Sequence, residues 1–282
     1  MTLSGKARVA GVMGWPVGHS LSPRLHGYWL SEYGIDGAYV PFPVMVDRLG
    51  DALRALPALG IAGVNLTVPH KVAACGIVDA IDPVARRIGA INTVVVGPDG
   101  ALEGRNTDAY GFITAIADSV PGWTAKAAPC VVIGAGGAAR AVCVALQEAG
   151  AADIRLVNRT EARARDLAAE LGAGVTVAGW DGRDAALDDA GLLVNATSLG
   201  MRGQPPLDLD LARLPLGAVV NDIVYVPLET PLLAAAARRG NPVVDGLGML
   251  LHQGRPGFAA WFGRDPSVTP AVRAHVLAGL TP

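Results

Sequence analysis

The sequence predicts an α/β fold in two parts, and three observations carry that prediction. From Cys130 onward, short apolar strands alternate cleanly with helical segments, the pattern of a parallel sheet covered by helices. Before that point strand-like and helix-like segments also alternate, less regularly. Between the two lies a Pro/Gly-rich stretch, Pro121-Gly122 and then Pro129, that reads as a hinge. A length of 282 residues accommodates one large or two medium domains, with ample core either way.

Taken in order, residues 7–13 read as a buried strand. Ser22 and Pro23 then read as the cap and first turn of a helix that Gly34 ends. A strand near 36–42, a helix near 46–56 and a strand carrying Val64 and Leu66 follow. After Lys71 come a short helix, a polar turn and a helical stretch near Pro83–Ile88. Asn92–Val96 is the next strand, closed by the turn signal Pro98-Asp99-Gly100. Thr107-Asp108 opens a helix. Beyond the hinge, strands are expected at Cys130–Ile133, Ile154–Val157, 175–177, 191–195, 218–224 and 242–245. From about Leu247 the tail is mostly helical.

Hydrophobic residues make up 51% of the chain and charged ones 17%, which excludes a disordered protein. The formal net charge is −2 and the basic residues are scattered, which argues against nucleic acid or an anionic membrane as partner. Cys75, Cys130 and Cys143 have no metal-ligand spacing, so no metal is expected; they read as small apolar residues of a reducing compartment. The N-terminus lacks the apolar core of a signal peptide, and no apolar run is long enough for a bilayer. The expected setting is the cytoplasm. Oligomeric state is not legible, although a homodimer is compatible with the sequence.

Chemistry concentrates in a few stretches. In Gly63-Val-Asn-Leu-Thr-Val-Pro-His-Lys71, Thr67 can cap a helix with Pro69 in its first turn. Lys71 would then lie beside the positive end of the helix dipole, where cations are disfavoured and a proton is given up more readily. Most lysines are simply solvated, so this stretch alone does not make Lys71 functional. Ser20 and Ser22 precede a helix start and could cradle a carboxylate, although capping alone accounts for Ser22. His19 beside them reads as a hydrogen-bonding scaffold. Asp108 could cap its helix, but Thr107 offers a cap one position earlier.

Gly134-x-Gly136-x-x-Ala139 lies between a strand and a helix, the context in which such a loop binds a dinucleotide pyrophosphate. The second strand ends not in the acid of an NAD site but in Asn158-Arg159-Thr160, with Arg163 one turn on. Arginines with a hydroxyl suit a 2′-phosphate, hence NADP. Alternatively, these arginines are a solvated helix face paired with Glu161 and Asp166.

Together the motifs resemble the shikimate dehydrogenase family. The matching blocks are Gly14–Pro23, Gly63–Lys71, Gly89-Ala-Ile-Asn-Thr93, Asn106-Thr-Asp108, Gly134–Ala138, Asn158-Arg-Thr160 and Asn195-Ala-Thr-Ser-Leu-Gly-Met201. Asp222-Ile-Val-Tyr225-x-Pro227 with Thr230, and Asp245-Gly-Leu-Gly-Met-Leu-x-x-Gln253, complete the set. They run in order over nearly the whole chain. The resemblance implies two α/β domains with a cleft between them. One is a substrate-binding domain over residues 1–107, completed by C-terminal helices in 247–282; the other is a Rossmann NADP-binding domain over 108–246.

It further implies the reversible NADPH-dependent reduction of 3-dehydroshikimate to shikimate, a step of chorismate and aromatic amino-acid biosynthesis. Lys71 and Asp108 match the catalytic pair, the lysine supplying a proton and electrostatic stabilisation and the carboxylate tuning it. Ser20 and Ser22 match the substrate-carboxylate positions. Asn65, Thr67, Asn92 and Gln253 match those that hold the ring hydroxyls, and Tyr225 a cleft position near the carboxylate. Gly134, Ala135, Gly136, Gly137 and Ala138 match the pyrophosphate loop, and Asn158, Arg159, Thr160 and Arg163 the adenosine phosphate site. Thr197, Ser198, Ile223, Gly246 and Met249 match the nicotinamide end.

Two departures touch packing and charge detail rather than chemistry: Gly27 where asparagine often follows His26, and Arg163 where lysine is common. The competing expectations are a quinate/shikimate dehydrogenase using NAD, a dehydrogenase of aminated shikimate analogues, and a non-catalytic shikimate-sensing module. Ser22, the missing acid after Val157 and the retained Lys71 and Asp108 speak against the first and the last.

Overall fold

The structure, a computed structural model, describes residues 2–280. The chain forms two compact units, one running to Thr107 and resumed from Gln253, the other Asp108–His252. The division falls within a helix, six residues beyond the Leu247 that the sequence suggested. The reason is local packing: Gly248 abuts the helix that begins at Asp108, its missing Cβ only 3.1 Å from Ala115 Cβ.

The first unit is built on a six-stranded mixed sheet. Its strands are β1 (Arg8–Gly14), β2 (Gly37–Pro43), β3 (Ile61–Leu66), β4 (Ala80–Ile81), β5 (Thr93–Val96) and β6 (Leu102–Arg105), in the order β2-β1-β3-β5-β6-β4. β2, β1 and β3 run parallel, β5 and β6 antiparallel. The Pro98-Asp99-Gly100 turn does close a hairpin there: Asp99 Oδ1 accepts from the Ala101 N–H at 3.1 Å, and Gly100 takes φ +83°. Strand β4 is too short and β6 too polar to be read from sequence; pairing supplies them.

Helices α1 (Ser22–Glu32), α2 (Leu49–Ala55) and α3 (Pro83–Ile88) interleave with these strands. One face of the sheet packs Met13, Val64, Leu66 and Val94 against Leu49, Leu53 and Leu56. Asp82 caps α3, its Oδ1 accepting from the Ala85 N–H at 2.8 Å, and Gly89 ends it in the left-handed conformation. Such a cap contributes about 1 kcal/mol and fixes where the chain turns toward Asn92. Gly63 shows why a glycine opens its block. At φ +153° a Cβ would sit 2.1 Å from the Val94 carbonyl oxygen and 2.2 Å from Trp261 Nε1, which itself donates to that carbonyl.

The second unit holds β7 (Cys130–Ile133), β8 (Ile154–Val157), β9 (Val175–Ala178), β10 (Leu192–Asn195), β11 (Val219–Asp222) and β12 (Val243–Val244). All are parallel, in the order β12-β11-β10-β7-β8-β9. This is the doubly wound order of dinucleotide-binding sheets, with the strand order reversing between β7 and β10. The helices are α4 (Asp108–Ser119), α5 (Gly137–Glu148), α6 (Glu161–Leu171) and α7 (Pro231–Arg239), the last capped by Thr230. α8 (Gly246–Phe262) and α9 (Pro270–Leu277) complete the chain. Among the described residues no helix is long and apolar enough to cross a membrane.

Two local expectations fail. No α-helix follows Thr67: residues 68–72 form turns around a cis Val68-Pro69 bond, and only a short 3-10 helix, Ala73–Gly76, comes after. Lys71 therefore has no helix dipole behind it. Ser22 is not a cap either; Leu21 holds that position without a side-chain bond, and Ser22 is the first residue of α1.

Candidate active site

In the first unit the C-terminal ends of β1 and β3, the start of the antiparallel β5 and the chain just after β6 bring polar side chains together in an otherwise apolar layer. Asn65, the penultimate residue of β3, is buried and donates from Nδ2 to the Asn92 carbonyl at 3.1 Å and to Thr93 Oγ1 at 3.0 Å. Its Oδ1 accepts from the Tyr39 hydroxyl at 2.6 Å. Asn92, also buried, receives the Thr107 N–H on Oδ1 at 2.8 Å and donates from Nδ2 to Gln253 Oε1 at 3.3 Å. Asn65, Asn92 and Gln253, far apart in sequence, are thus one hydrogen-bonded group.

Ser20 and Ser22 lie on the turn into α1, where Ser20 Oγ accepts from the Ser22 N–H at 3.3 Å. Burial raises the Tyr39 phenol well above its usual range, and the Ser22 hydroxyl opposes that shift. His19 is exposed and holds no side-chain hydrogen bond among the described residues, so it is no scaffold. Thr67 and Lys71, both half-buried, share the loop after β3. Its path is fixed by backbone bonds: Thr67 N–H to the Met13 carbonyl at 3.0 Å, and Ile91 N–H to the Lys71 carbonyl at 2.9 Å. The second of these ties Lys71 to the segment leading into Asn92. Asp108, buried, directly follows Thr107 and begins α4.

Tyr39, Thr93 and Thr107 belong to this group, although the sequence assigns none of them a site role. Thr93 and Thr107 lie inside quoted motif blocks, next to Asn92 and Asp108, and that adjacency is the available signal. Tyr39 had none, because its role depends on β2 pairing beside β1.

In the second unit the loops after β7 and β10 meet at the point where the strand order reverses, the place where such sheets bind ligands. Gly134 takes φ +120°, and a Cβ there would lie 2.9 Å from the Ala196 carbonyl oxygen and 3.1 Å from Thr197 Cγ2. Cβ atoms at Gly136 and Gly137 would meet nothing within 4 Å, leaving room over the start of α5, which no side chain caps. A pyrophosphate fits such a loop: bare backbone at a helix N-terminus with its N–H donors outward. Ala135 and Ala138 fill the remaining places of the loop.

At the end of β8, Asn158 Nδ2 donates to the Thr160 carbonyl at 2.8 Å, shaping the turn into α6. Glu161 pairs with Arg165 at 2.6 Å. Arg159 and Arg163 are exposed and hold no ion pair among the described residues. The helix-face pairing that competed with phosphate binding is thus satisfied by a different arginine. An anionic 2′-phosphate fits the two that are left.

The remaining second-unit positions are held by one buried carboxylate. Asp222, at the end of β11, accepts from Asn195 Nδ2 (3.1 Å), the Val224 N–H (3.0 Å) and Thr230 Oγ1 (2.7 Å). Asn195 Oδ1 in turn accepts from Thr197 N–H and Oγ1 at 3.1 and 2.7 Å, and Thr197 Oγ1 receives the Leu199 N–H. The loop carrying Thr197 and Ser198 and the loop carrying Ile223 and Tyr225 are therefore one rigid piece. Gly246 packs on the second loop so closely that a Cβ would sit 2.3 Å from the Ile223 carbonyl oxygen; Met249 lies one turn on in α8.

The chain matches three family models: shikimate dehydrogenase substrate binding domain over residues 12–94, shikimate / quinate 5-dehydrogenase over 116–200, and shikimate 5′-dehydrogenase C-terminal domain over 246–277. The shikimate dehydrogenase (NADP(+)) of Paramagnetospirillum magneticum is 61% identical over 276 residues, covering 98% of this chain and 100% of its own. Shikimate 5-dehydrogenase from Thermus thermophilus, solved with NADP(H) and shikimate, superposes with a TM-score of 0.85 at 37% identity, covering 97% of this chain and 99% of its own. Quinate dehydrogenase from Corynebacterium glutamicum, solved with NAD, gives 0.90 at 30% identity, with 96% and 99% covered.

Proposed function

This chain belongs to the shikimate dehydrogenase family, and from that premise we propose how its residues serve the reaction. The protein is an NADP-dependent oxidoreductase that interconverts 3-dehydroshikimate and shikimate in the route to chorismate. The observation that carries the cofactor choice is the end of β8: Asn158 stands where an NAD site places an acid, and Arg159 and Arg163 lack ion pairs among the described residues.

When bound at Gly134–Ala138, Asn158–Thr160 and Arg163, the dinucleotide supplies the hydride that the C3 carbonyl carbon takes up. Reduction leaves negative charge on the C3 oxygen, and Lys71 is assigned to neutralise it and give it a proton; in the reverse direction the same amine receives that proton. Asp108 is assigned as the carboxylate that orients and tunes the lysine. Thr107 N–H, held by Asn92 at 2.8 Å, anchors the chain one residue before Asp108. Ser20, Ser22 and Tyr225 are assigned to the substrate carboxylate, the serines as neutral donors with rotatable hydrogens. Asn65, Thr67, Asn92 and Gln253 are assigned to the ring hydroxyls, and Thr197, Ser198, Ile223, Gly246 and Met249 to the nicotinamide end.

We also place the enzyme in the cytoplasm, a setting that suits three free thiols; burial pushes those of Cys130 and Cys143 up to about 12, which makes them inert.

The test is spectrophotometric: reduction of NADP with shikimate, compared with NAD and with quinate. The expected result is a kcat/KM at least tenfold higher for the NADP–shikimate pair. A higher value for NAD with quinate would make the chain a quinate dehydrogenase, and no turnover with either would leave it a binding module.

A further inference from the structure

Two backbone groups set the orientation of the Asn65 and Asn92 amides in the first-unit polar group. The Asn92 carbonyl can only accept, so the atom of Asn65 facing it at 3.1 Å is Nδ2, and Oδ1 faces Tyr39, whose hydroxyl must donate. The Thr107 N–H can only donate, so the atom of Asn92 it meets at 2.8 Å is Oδ1, and Nδ2 faces Gln253, which must accept through Oε1. Thr93 connects the two amides, accepting from Asn65 Nδ2 at 3.0 Å and donating to Asn92 Oδ1 at 3.0 Å.

Both hydrogens of the Asn65 amide are consumed in this arrangement, by Asn92 and Thr93. Toward a ligand Asn65 has only the second lone pair of Oδ1. Gln253, accepting through Oε1, turns the donor end of its amide away from Asn92. The Tyr39 ring that holds the start of the chain is itself immobilised, stacked on His26 with centroids 4.0 Å apart and planes 4° apart.

We propose that Tyr39 is a positioning residue for substrate: its hydroxyl locks the Asn65 amide with the oxygen outward, so that the ring hydroxyl facing Asn65 must donate a hydrogen bond. The site thereby selects a ring hydroxyl at that place over a ketone or an ether, without Tyr39 touching the ligand. Removing the phenol oxygen unpins Asn65 and leaves its Oδ1 without a donor, while the stack on His26 survives.

This proposal rests on the assignment of Asn65 to a ring hydroxyl; turnover of NADP with shikimate by the unaltered protein reports on the activity separately. The experiment is Tyr39→Phe, assayed for KM and kcat with shikimate and with its 4-deoxy and 5-deoxy analogues. The expected result is a KM for shikimate raised at least fivefold, kcat within twofold and KM for NADP unchanged. The rise disappears on one of the two deoxy analogues, the one lacking the hydroxyl that faces Asn65. Thr93→Val, which cuts the chain at its middle while keeping side-chain volume, is expected to give the same pattern and serves if Tyr39→Phe does not fold. An unchanged KM for shikimate, an equal rise in the KM for NADP, or a penalty of the same size on both deoxy analogues would overturn the proposal.

Discussion

His26 lies flat against Tyr39, ring centroids 4.0 Å apart and planes within 4° of parallel. Neither imidazole nitrogen has a hydrogen-bond partner among the described residues, and burial pushes its pKa down to about 3 from 6.5. The stack is a neutral, apolar contact beneath a polar group, and it couples stability to pH. Below pH 6.5 the unfolded chain takes up a proton that folded His26 refuses until about pH 3, so stability falls as pH drops through that window. Between pH 7 and pH 5 this amounts to roughly 2 kcal/mol. His26→Phe keeps an aromatic partner for Tyr39 and removes the proton. Urea unfolding at the two pH values is expected to show that much less acid loss in the variant than in the parent.

The separation of roles among the arginines at the start of α6 gives a second prediction. Arg159→Ala with Arg163→Ala is expected to raise the KM for NADP at least tenfold, since two charge-assisted bonds to phosphate are lost. The KM for NAD should change less than twofold, because NAD has no 2′-phosphate. Arg165→Ala, which releases Glu161 from the 2.6 Å pair, is expected to leave the KM for shikimate unchanged. Initial-rate kinetics with both cofactors measure all three.

Substitution within the assigned catalytic and binding groups should separate kcat from KM. Lys71→Ala is expected to cut kcat by at least ~10²-fold with little change in KM, the pattern of lost acid–base catalysis. Ser22→Ala is expected to act mainly on the KM for shikimate. An unchanged kcat in the first variant, or an unchanged KM in the second, removes the residue from its role.

Asp222 makes a structural prediction of a different kind. It is fully buried, with no basic group among its partners, and is held by three donors from Asn195, Val224 and Thr230. Asp222→Ala strips an acceptor from all three at once and is expected to cost about 3 kcal/mol in thermal unfolding. The KM for NADP should rise with it, because the Thr197 and Ile223 loops lose their common anchor.

Several features were legible in the amino-acid sequence alone. Strand β7 was bounded to the residue and β8 likewise, because a short, largely apolar run between polar or glycine-rich turns has little freedom in a parallel sheet. The absence of an acid after Val157 was also plain in the sequence, and with it the cofactor class.

Tertiary structure alone decided the rest. Local rules made Thr67 and Ser22 helix caps; in the fold, the cis Val68-Pro69 bond and the backbone bonds of Thr67 and Lys71 take the chain along another path. Capping propensity is worth about 1 kcal/mol and yields to such long-range pairing. The partner of each arginine around the start of α6 was likewise undecidable, since Arg159, Arg163 and Arg165 all lie within four residues of Glu161 and side-chain geometry selects Arg165. Tyr39 carried no signal at all. It joins Asn65 only because β2 and β3 flank β1 in one sheet, and the direction of the hydrogen bonds between them is set by two backbone groups from still other segments.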